Sequence, residues 1–446
     1  TCVFRSRWHS SMFAIVSFGL LVCWSNAVGG LILAQLKALG WTDNSTTATF
    51  SAITTAGMFL GALVGGIIGD KTGRRNAFIL YEAIHIASMV VGAFSPNMDF
   101  LIACRFVMGV GLGALLVTLF AGFTEYMPGR NRGTWSSRVS FIGNWSYPLC
   151  SLIAMGLTPL ISAEWNWRVQ LLIPAILSLI ATALAWRYFP ESPRWLESRG
   201  RYQEAEKVMR SIEEGVIRQT GKPLPPVVIA DDGKAPQAVP YSALLTGVLL
   251  KRVILGSCVL IAMNVVQYTL INWLPTIFMT QGINLKDSIV LNTMSMFGAP
   301  FGIFIAMLVM DKIPRKTMGV GLLILIAVLG YIYSLQTSML LITLIGFFLI
   351  TFVYMYVCYA SAVYVPEIWP TEAKLRGSGL ANAVGRISGI AAPYAVAVLL
   401  SSYGVTGVFI LLGAVSIIVA IAIATIGIET KGVSVESLSI DAVANK

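Results

Sequence analysis

Residues 69–75 read GDKTGRR, and residues 310–316 read MDKIPRK. Asp70 and Asp311 are 241 positions apart, and so are Arg74 and Arg315. A second pair of stretches keeps almost the same interval. EYMPGRNRG at 125–133 returns as EIWPTEAKLRG at 367–377, with Glu125 and Glu367 242 positions apart. Two unrelated motifs sharing one offset mean internal duplication. Each motif is a charged turn lying between apolar stretches, so the repeated unit is a set of apolar segments joined by polar connections.

Working outward from these turns, the apolar runs are long enough to cross a hydrocarbon core of about 30 Å as helices. Twelve are expected, at about 11–36, 47–69, 76–95, 100–123, 136–160, 169–188, 253–280, 289–310, 317–335, 339–363, 377–401 and 405–428. Hydrophobic residues make up 56 % of the chain and charged residues 12 %, about half the charge of an ordinary soluble domain. Such a surface must face lipid. The expected fold class is an all-α membrane protein of two pseudo-symmetric six-helix bundles. Their boundaries are set at 1–188 and 251–446, around a polar segment at 189–250. That segment carries RGRYQEAEKVMRSIEEG (199–215), read as an amphipathic helix. The Pro-rich KPLPPVVIADDGKAPQAVP (222–240) follows as a tether. Parallel six-helix repeats describe a two-bundle transporter.

Charge sets the expected orientation. Of 31 Lys and Arg, 26 fall at the termini and in the even-numbered connections. Lys37, Arg168 and Lys286 lie in the odd ones, and Arg105 and Arg386 lie inside helices. Positive residues stay on the cytoplasmic side, so both termini are expected there. The net charge of +10 thus reports topology rather than a nucleic-acid partner. The six cysteines show no CxxC spacing, and five lie in apolar runs. They read as packing residues, with no metal and no cofactor expected. Neither a nucleotide-binding loop nor a nucleophile elbow is present, so an enzyme is not expected. The first apolar run is too long for a cleavable signal peptide.

GDKTGRR, RFVMGVGLG (105–113), EYMPGRNRG, PESPRWL (190–196), PEIWPTEAKLRG (366–377) and ETKG (429–432) resemble the signatures of the major facilitator superfamily. PESPRWL, the duplicated E…RG and ETKG resemble its sugar-porter and metabolite:proton symporter branches. The resemblance spans nearly the whole chain. It implies alternating access and a site at mid-membrane between the halves. It also implies a proton-coupling acid in the first helix, a Gln pair in the seventh and a Trp in the tenth. This chain has Ser25 and Asn26, Ala262 and Met263, and Ala362 near those places. These departures argue against a standard hexose symporter.

An ionisable residue inside a membrane helix needs a partner or a function. Arg386, in NAVGRISGIAAPY, is the leading substrate contact, because a guanidinium matches a carboxylate bidentately. The repeat offset maps it onto Asn144. Its alternative is a side chain snorkelling to the interface. Arg105 reads equally as a structural residue and as a ligand contact. Asn26, Asn264, Gln267, Tyr268, Tyr354 and Asn382 are further lining candidates, with Asn272, Trp273, Tyr356 and Tyr359 beside them; some of the tyrosines fit an interfacial belt as well. Glu82 and His85, one helical turn apart, are proton-coupling candidates, although a structural hydrogen bond is the weightier reading. Asp70, Arg74, Arg75, Glu125 and Arg132 in the first half, with Asp311, Arg315, Glu367 and Arg376 in the second, are expected to form gating clusters.

The expected activity is secondary transport of a small polar organic metabolite carrying a carboxylate, across an inner membrane. A neutral sugar or polyol is the alternative substrate; a ligand-sensing receptor or a channel is the alternative class. Expected partners are the solute, protons and membrane lipid, with a monomer as the working unit. The energy source stays open between a proton gradient, exchange and facilitated diffusion.

Overall fold

The hydrocarbon core offers no hydrogen-bond partner to a peptide group, so apolar runs can cross it only as helices or closed barrels. The computed structural model describes residues 7–22, 27–126, 132–220, 240–370 and 373–431, and no strand occurs among them. Nine of their helices are long and apolar enough to cross a membrane. These supply spans two (Asn44–Thr72), three (Arg74–Ala93), four (Met98–Tyr126), six (Ala163–Tyr188), seven (Gly247–Thr280) and nine (Arg315–Ser334). Span eight runs through Leu285–Met296 and Gly298–Val309, and span ten through Met339–Cys358, a π-helical turn at Tyr359–Tyr364 and Val365–Glu367. The last long helix, Lys374–Ile426, is two spans, eleven and twelve, meeting at Gly404 (φ 65, ψ −159). That positive-φ glycine kinks the chain between the two spans. Spans one (Arg7–Val22, Gly29–Ala38) and five (Arg132–Asn144, Ser146–Leu157) are each built from two shorter helices, completing twelve.

Three local features differ from the sequence expectation. Span five breaks at Trp145, between its two helices. Span ten contains the π-turn. Among its described residues the polar segment holds three helices, Pro193–Ser198, Tyr202–Thr220 and Tyr241–Leu244, in place of one over 199–215. Ser192 starts the first of these by accepting from the Trp195 N–H at 3.4 Å, with Pro193 at the first helical position. The Pro-rich tether falls outside the described residues but for Pro240.

Two compact units emerge. One holds Thr1–Val28, Ile53–Ser146 and Glu164–Asp231; the other holds Gly29–Ala52, Tyr147–Ala163 and Asp232–Lys446. Within the first, span two lies backbone to backbone on span four. A Cβ on Gly57 would sit 2.3 Å from the Phe106 carbonyl oxygen, and one on Gly61 would sit 2.1 Å from that of Val110. Within the second, span eight lies the same way on span ten. A Cβ on Gly298 would meet the Phe347 oxygen at 2.4 Å, and one on Gly302 the Thr351 oxygen at 2.3 Å. All four residues of each contact recur at 241 positions: Gly57 and Gly298, Gly61 and Gly302, Phe106 and Phe347, Val110 and Thr351. Small residues allow this approach where lipid provides no hydrophobic drive for helix association. The duplicated turns therefore stand on duplicated helix packing.

Candidate functional site

The first charged node lies where span two turns into span three. Arg74 donates to Asp70 Oδ1 at 2.6 Å. Span three opens on a carboxylate from far along the chain. Glu191 Oε1 accepts the backbone N–H of Arg74 (2.7 Å), Arg75 (3.3 Å) and Ser192 (2.9 Å). An anion at these unsatisfied N–H groups is favoured both by hydrogen bonding and by the helix dipole. Trp195 Nε1 and Arg199 Nη2 each donate to the Asp70 carbonyl at 2.8 Å, and Arg75 donates to the Trp186 carbonyl. The side chains of Glu125 and Arg132 lie outside what the structure describes.

The second node follows the same plan at the start of span nine. Glu429 accepts from the N–H of Arg315 (2.8 Å) and of Lys316 (3.1 Å). Burial alone would raise the Glu429 carboxyl, but these backbone donors and Arg315 outweigh it and hold it below the usual carboxylate range. The Arg315 guanidinium meets Glu367 as a fork, Nε to Oε2 at 3.0 Å and Nη2 to Oε1 at 3.2 Å, and reaches Asp311 at 3.2 Å. Thr430 adds a 2.6 Å bond to Glu367. Arg376 lies over the Tyr241 ring at 5.1 Å. Glu191 and Glu429 were not singled out from sequence. Their only signal is position, in PESPRWL and ETKG, each just after the sixth span of its half.

Within the spans, the second unit gathers Arg386, Tyr268, Gln267, Asn264 and Tyr354. Arg386 Nη1 donates to the Tyr268 hydroxyl at 3.5 Å, and no carboxylate lies within ion-pair distance of it among the described residues. Span eleven comes close to span seven beside it: a Cβ on Gly385 would meet Leu260 at 2.8 Å and Asn264 Nδ2 at 3.0 Å. Asn264 donates to its own helix at the Leu260 carbonyl, 2.7 Å, and Asn382 does likewise at Ser378, 2.9 Å. Tyr147, which the sequence reading passed over, sets its ring edge-on to Tyr354 at 5.4 Å. Trp273 is enclosed in an apolar cluster with Ala48, Ile277, Val396 and Val408. Tyr356 donates to the Val259 carbonyl, and Tyr359 stacks on Tyr364. Each of these three aromatics thus has a packing or hydrogen-bond partner within the second unit.

The first unit holds the other candidates. Arg105 is buried, with Nε donating to Thr54 at 3.2 Å. Glu82 and His85 are both fully buried, 3.5 Å apart, and neither Glu82 oxygen completes a hydrogen bond. Asn144 donates to the Ser140 carbonyl at 2.7 Å. Asn26 lies outside the described residues.

Family comparison decides what these features belong to. The model of the Major Facilitator Superfamily matches residues 13–393. The chain belongs to the major facilitator superfamily. Among its relatives, the inner membrane metabolite transport protein YdjE of Escherichia coli strain K12 is 43 % identical over 437 residues, covering 97 % of this chain and 96 % of that protein. The niacin transporter NiaP of Acinetobacter baylyi is 26 % identical over 385 residues, covering 86 % of this chain and 85 % of that one. Among solved structures, the xylose transporter XylE from E. coli in a partially occluded inward-open conformation matches with a TM-score of 0.76 at 18 % identity, over 96 % of this chain and 100 % of that one. At that identity the likeness concerns the fold.

As a facilitator, the chain is an integral inner-membrane protein and a secondary transporter of small metabolites that works by alternating access. A secondary transporter of this superfamily needs binding groups near the membrane midplane and contacts that break and reform at the ends of its spans. Arg386 with its tyrosines has the chemistry of the first, and the two charged nodes have that of the second.

Proposed function

We propose that this facilitator carries a small organic carboxylate and that Arg386 reads its charge. One observation carries the proposal: a guanidinium inside a membrane span whose single side-chain partner among the described residues is a neutral hydroxyl at 3.5 Å. A partly buried cation inside a membrane span still needs a partner, and a carboxylate ligand would supply it with two parallel hydrogen bonds. The niacin carried by one relative is a pyridine carboxylate, and the xylose carried by a fold neighbour is neutral, so the superfamily accommodates both readings. The absence of the Gln pair near Ala262 and Met263 weighs against the sugar.

We place both termini in the cytoplasm, from the charge asymmetry, which makes the two charged nodes the cytoplasmic gate. Glu82 and His85 are the proposed proton site. If they carry the proton, Glu82→Gln abolishes uphill accumulation and retains exchange; accumulation surviving in that variant removes the assignment.

The deciding test is binding to purified protein of a small acid and of its neutral counterpart, a sugar acid beside its parent sugar included. Arg386→Ala is expected to cost the acid about 2–5 kcal/mol, as for truncating one side of a buried charge pair. Arg386→Lys should recover only part of that, since an ammonium lacks the fork. Equal losses for acid and neutral ligand would show that Arg386 shapes the protein instead, and the carboxylate reading would fall.

A further inference from the structure

The carboxylate reading says nothing of the rest of the ligand, yet the groups around Arg386 are of a distinctive kind. Tyr268, the hydroxyl partner of Arg386, lies within electrostatic reach of the hydroxyls of both Tyr147 and Tyr354. The rings of Tyr147 and Tyr354 meet at a 64° interplanar angle. The Tyr354 hydroxyl, in a residue only 1 % exposed, faces Tyr147 and Gln267. Tyr147, Gln267 and Arg386 each keep part of their surface open. All five residues belong to the second unit.

This lining is poor in the groups a sugar requires. A ring of hydroxyls needs many donors and acceptors, and a site lacking them leaves buried polar groups unpaired. Here one amide, Asn264, is already engaged with its own backbone. What is offered instead is one cation, three phenol rings and Gln267. Aromatic rings favour another flat ring, edge to face or offset, beyond the gain from area alone.

Resting on the carboxylate reading, we propose that the ligand is a planar aromatic or heteroaromatic carboxylate. Its carboxylate lies against Arg386 and Tyr268, and its ring lies against Tyr147 and Tyr354. Gln267, which keeps part of its surface open, is left to meet a polar atom on the far side of the ring.

The test measures binding to the purified full chain, by thermal stabilisation and calorimetry, for benzoate, benzamide and cyclohexanecarboxylate, with nicotinate and 4-hydroxybenzoate as further aromatic acids. Benzoate should bind about tenfold or more tighter than either control, each control lacking one recognised feature. Equal binding of benzoate and cyclohexanecarboxylate overturns the aromatic assignment and leaves the carboxylate reading standing. Equal binding of benzoate and benzamide overturns the carboxylate reading itself. If none of the three aromatic acids binds at millimolar concentration, the aromatic class is withdrawn, while sugar acids still test the carboxylate separately. Tyr147→Leu should weaken benzoate about tenfold and close the gap to cyclohexanecarboxylate, whereas Tyr147→Phe, which keeps the ring, should hold that gap open. Melting of the ligand-free variants shows that both are folded. Wild-type preference for benzoate in Tyr147→Leu overturns the placement of the ring.

Discussion

The two charged nodes are copies of one design, and they differ in how deeply the arginine is held. In the first, the Arg74 side chain is 18 % exposed and Asp70, with which it pairs, is 71 % exposed. In the second, Arg315 is 7 % exposed and forks onto Glu367 while keeping an exposed Asp311. The backbone entry differs too. Gly73 enters span three at φ 97, and a Cβ there would lie 2.2 Å from the Glu191 carboxylate. Pro314, its repeat counterpart, enters span nine at φ −56. Both helices nevertheless start on a distant carboxylate. The difference teaches that duplication preserved the carboxylate cap and the exposed aspartate, while the means of turning the chain into the helix was free to diverge.

This comparison can be broken or sharpened by substitution. The largest effect is expected at Arg315. Removing it leaves Glu367 and its neighbours without their cation, so Arg315→Ala should lower stability by roughly 2–4 kcal/mol. That lies toward the lower end of the range for buried pairs, because Glu367 is partly open to solvent. The matching Arg74→Ala should cost less. Thermal melting of both variants in detergent decides it, and a larger loss at Arg74 would reverse the ranking of the nodes.

Next comes the helix entry. Gly73→Ala places a Cβ in a backbone region reserved for glycine and against Glu191, a cost of about 1–3 kcal/mol. Pro314→Ala should cost under about 1 kcal/mol, through the freedom it returns to the unfolded chain. Equal melting shifts would contradict the divergence described.

Asp70→Asn and Asp311→Asn should each change stability by under about 1 kcal/mol, because both carboxylates are exposed. If the nodes gate transport, Asp70→Asn should slow turnover while substrate binding persists. Unchanged turnover removes the gating role.

The smallest effect concerns pH. Glu429 is held below the usual carboxylate range, so its contribution is present above the unfolded value near about 4.3 and is lost as pH falls through the lower folded value. Melting between pH 7 and pH 5 should show no loss from this node. Glu429→Gln should match the wild type more closely the further the pH is taken below 4.

The spans and the duplicated turns were legible because lipid imposes length and apolarity on each crossing and charge marks one side. The glycine stripe was written at the same 241-residue interval, but glycine occurs 41 times in this chain, and spacing alone does not say which glycines meet a neighbouring carbonyl. Glu191 and Glu429 were hidden for another reason. A cap on backbone N–H groups more than 110 positions away depends on the folded path and leaves no local pattern. Tyr147 was missed because it follows the break at Trp145, where helical spacing no longer dictates direction. Arg386 needed no geometry, since a charge inside an apolar run announces itself; its tyrosine neighbours did.

The division into compact units bears on how this gene can be taken apart. Duplication suggests a cut in the polar segment between the sixth and seventh spans, giving two six-span polypeptides. The C-terminal product would not contain a whole unit, because Gly29–Ala52 and Tyr147–Ala163, encoded in the first half, belong to the second unit. The C-terminal product would lack the surface around Gly30, packed so closely on span seven that a Cβ there would sit 2.4 Å from the Ile271 carbonyl oxygen. A split version would therefore have to be co-expressed, so that the first half can supply the two stretches that complete the second unit.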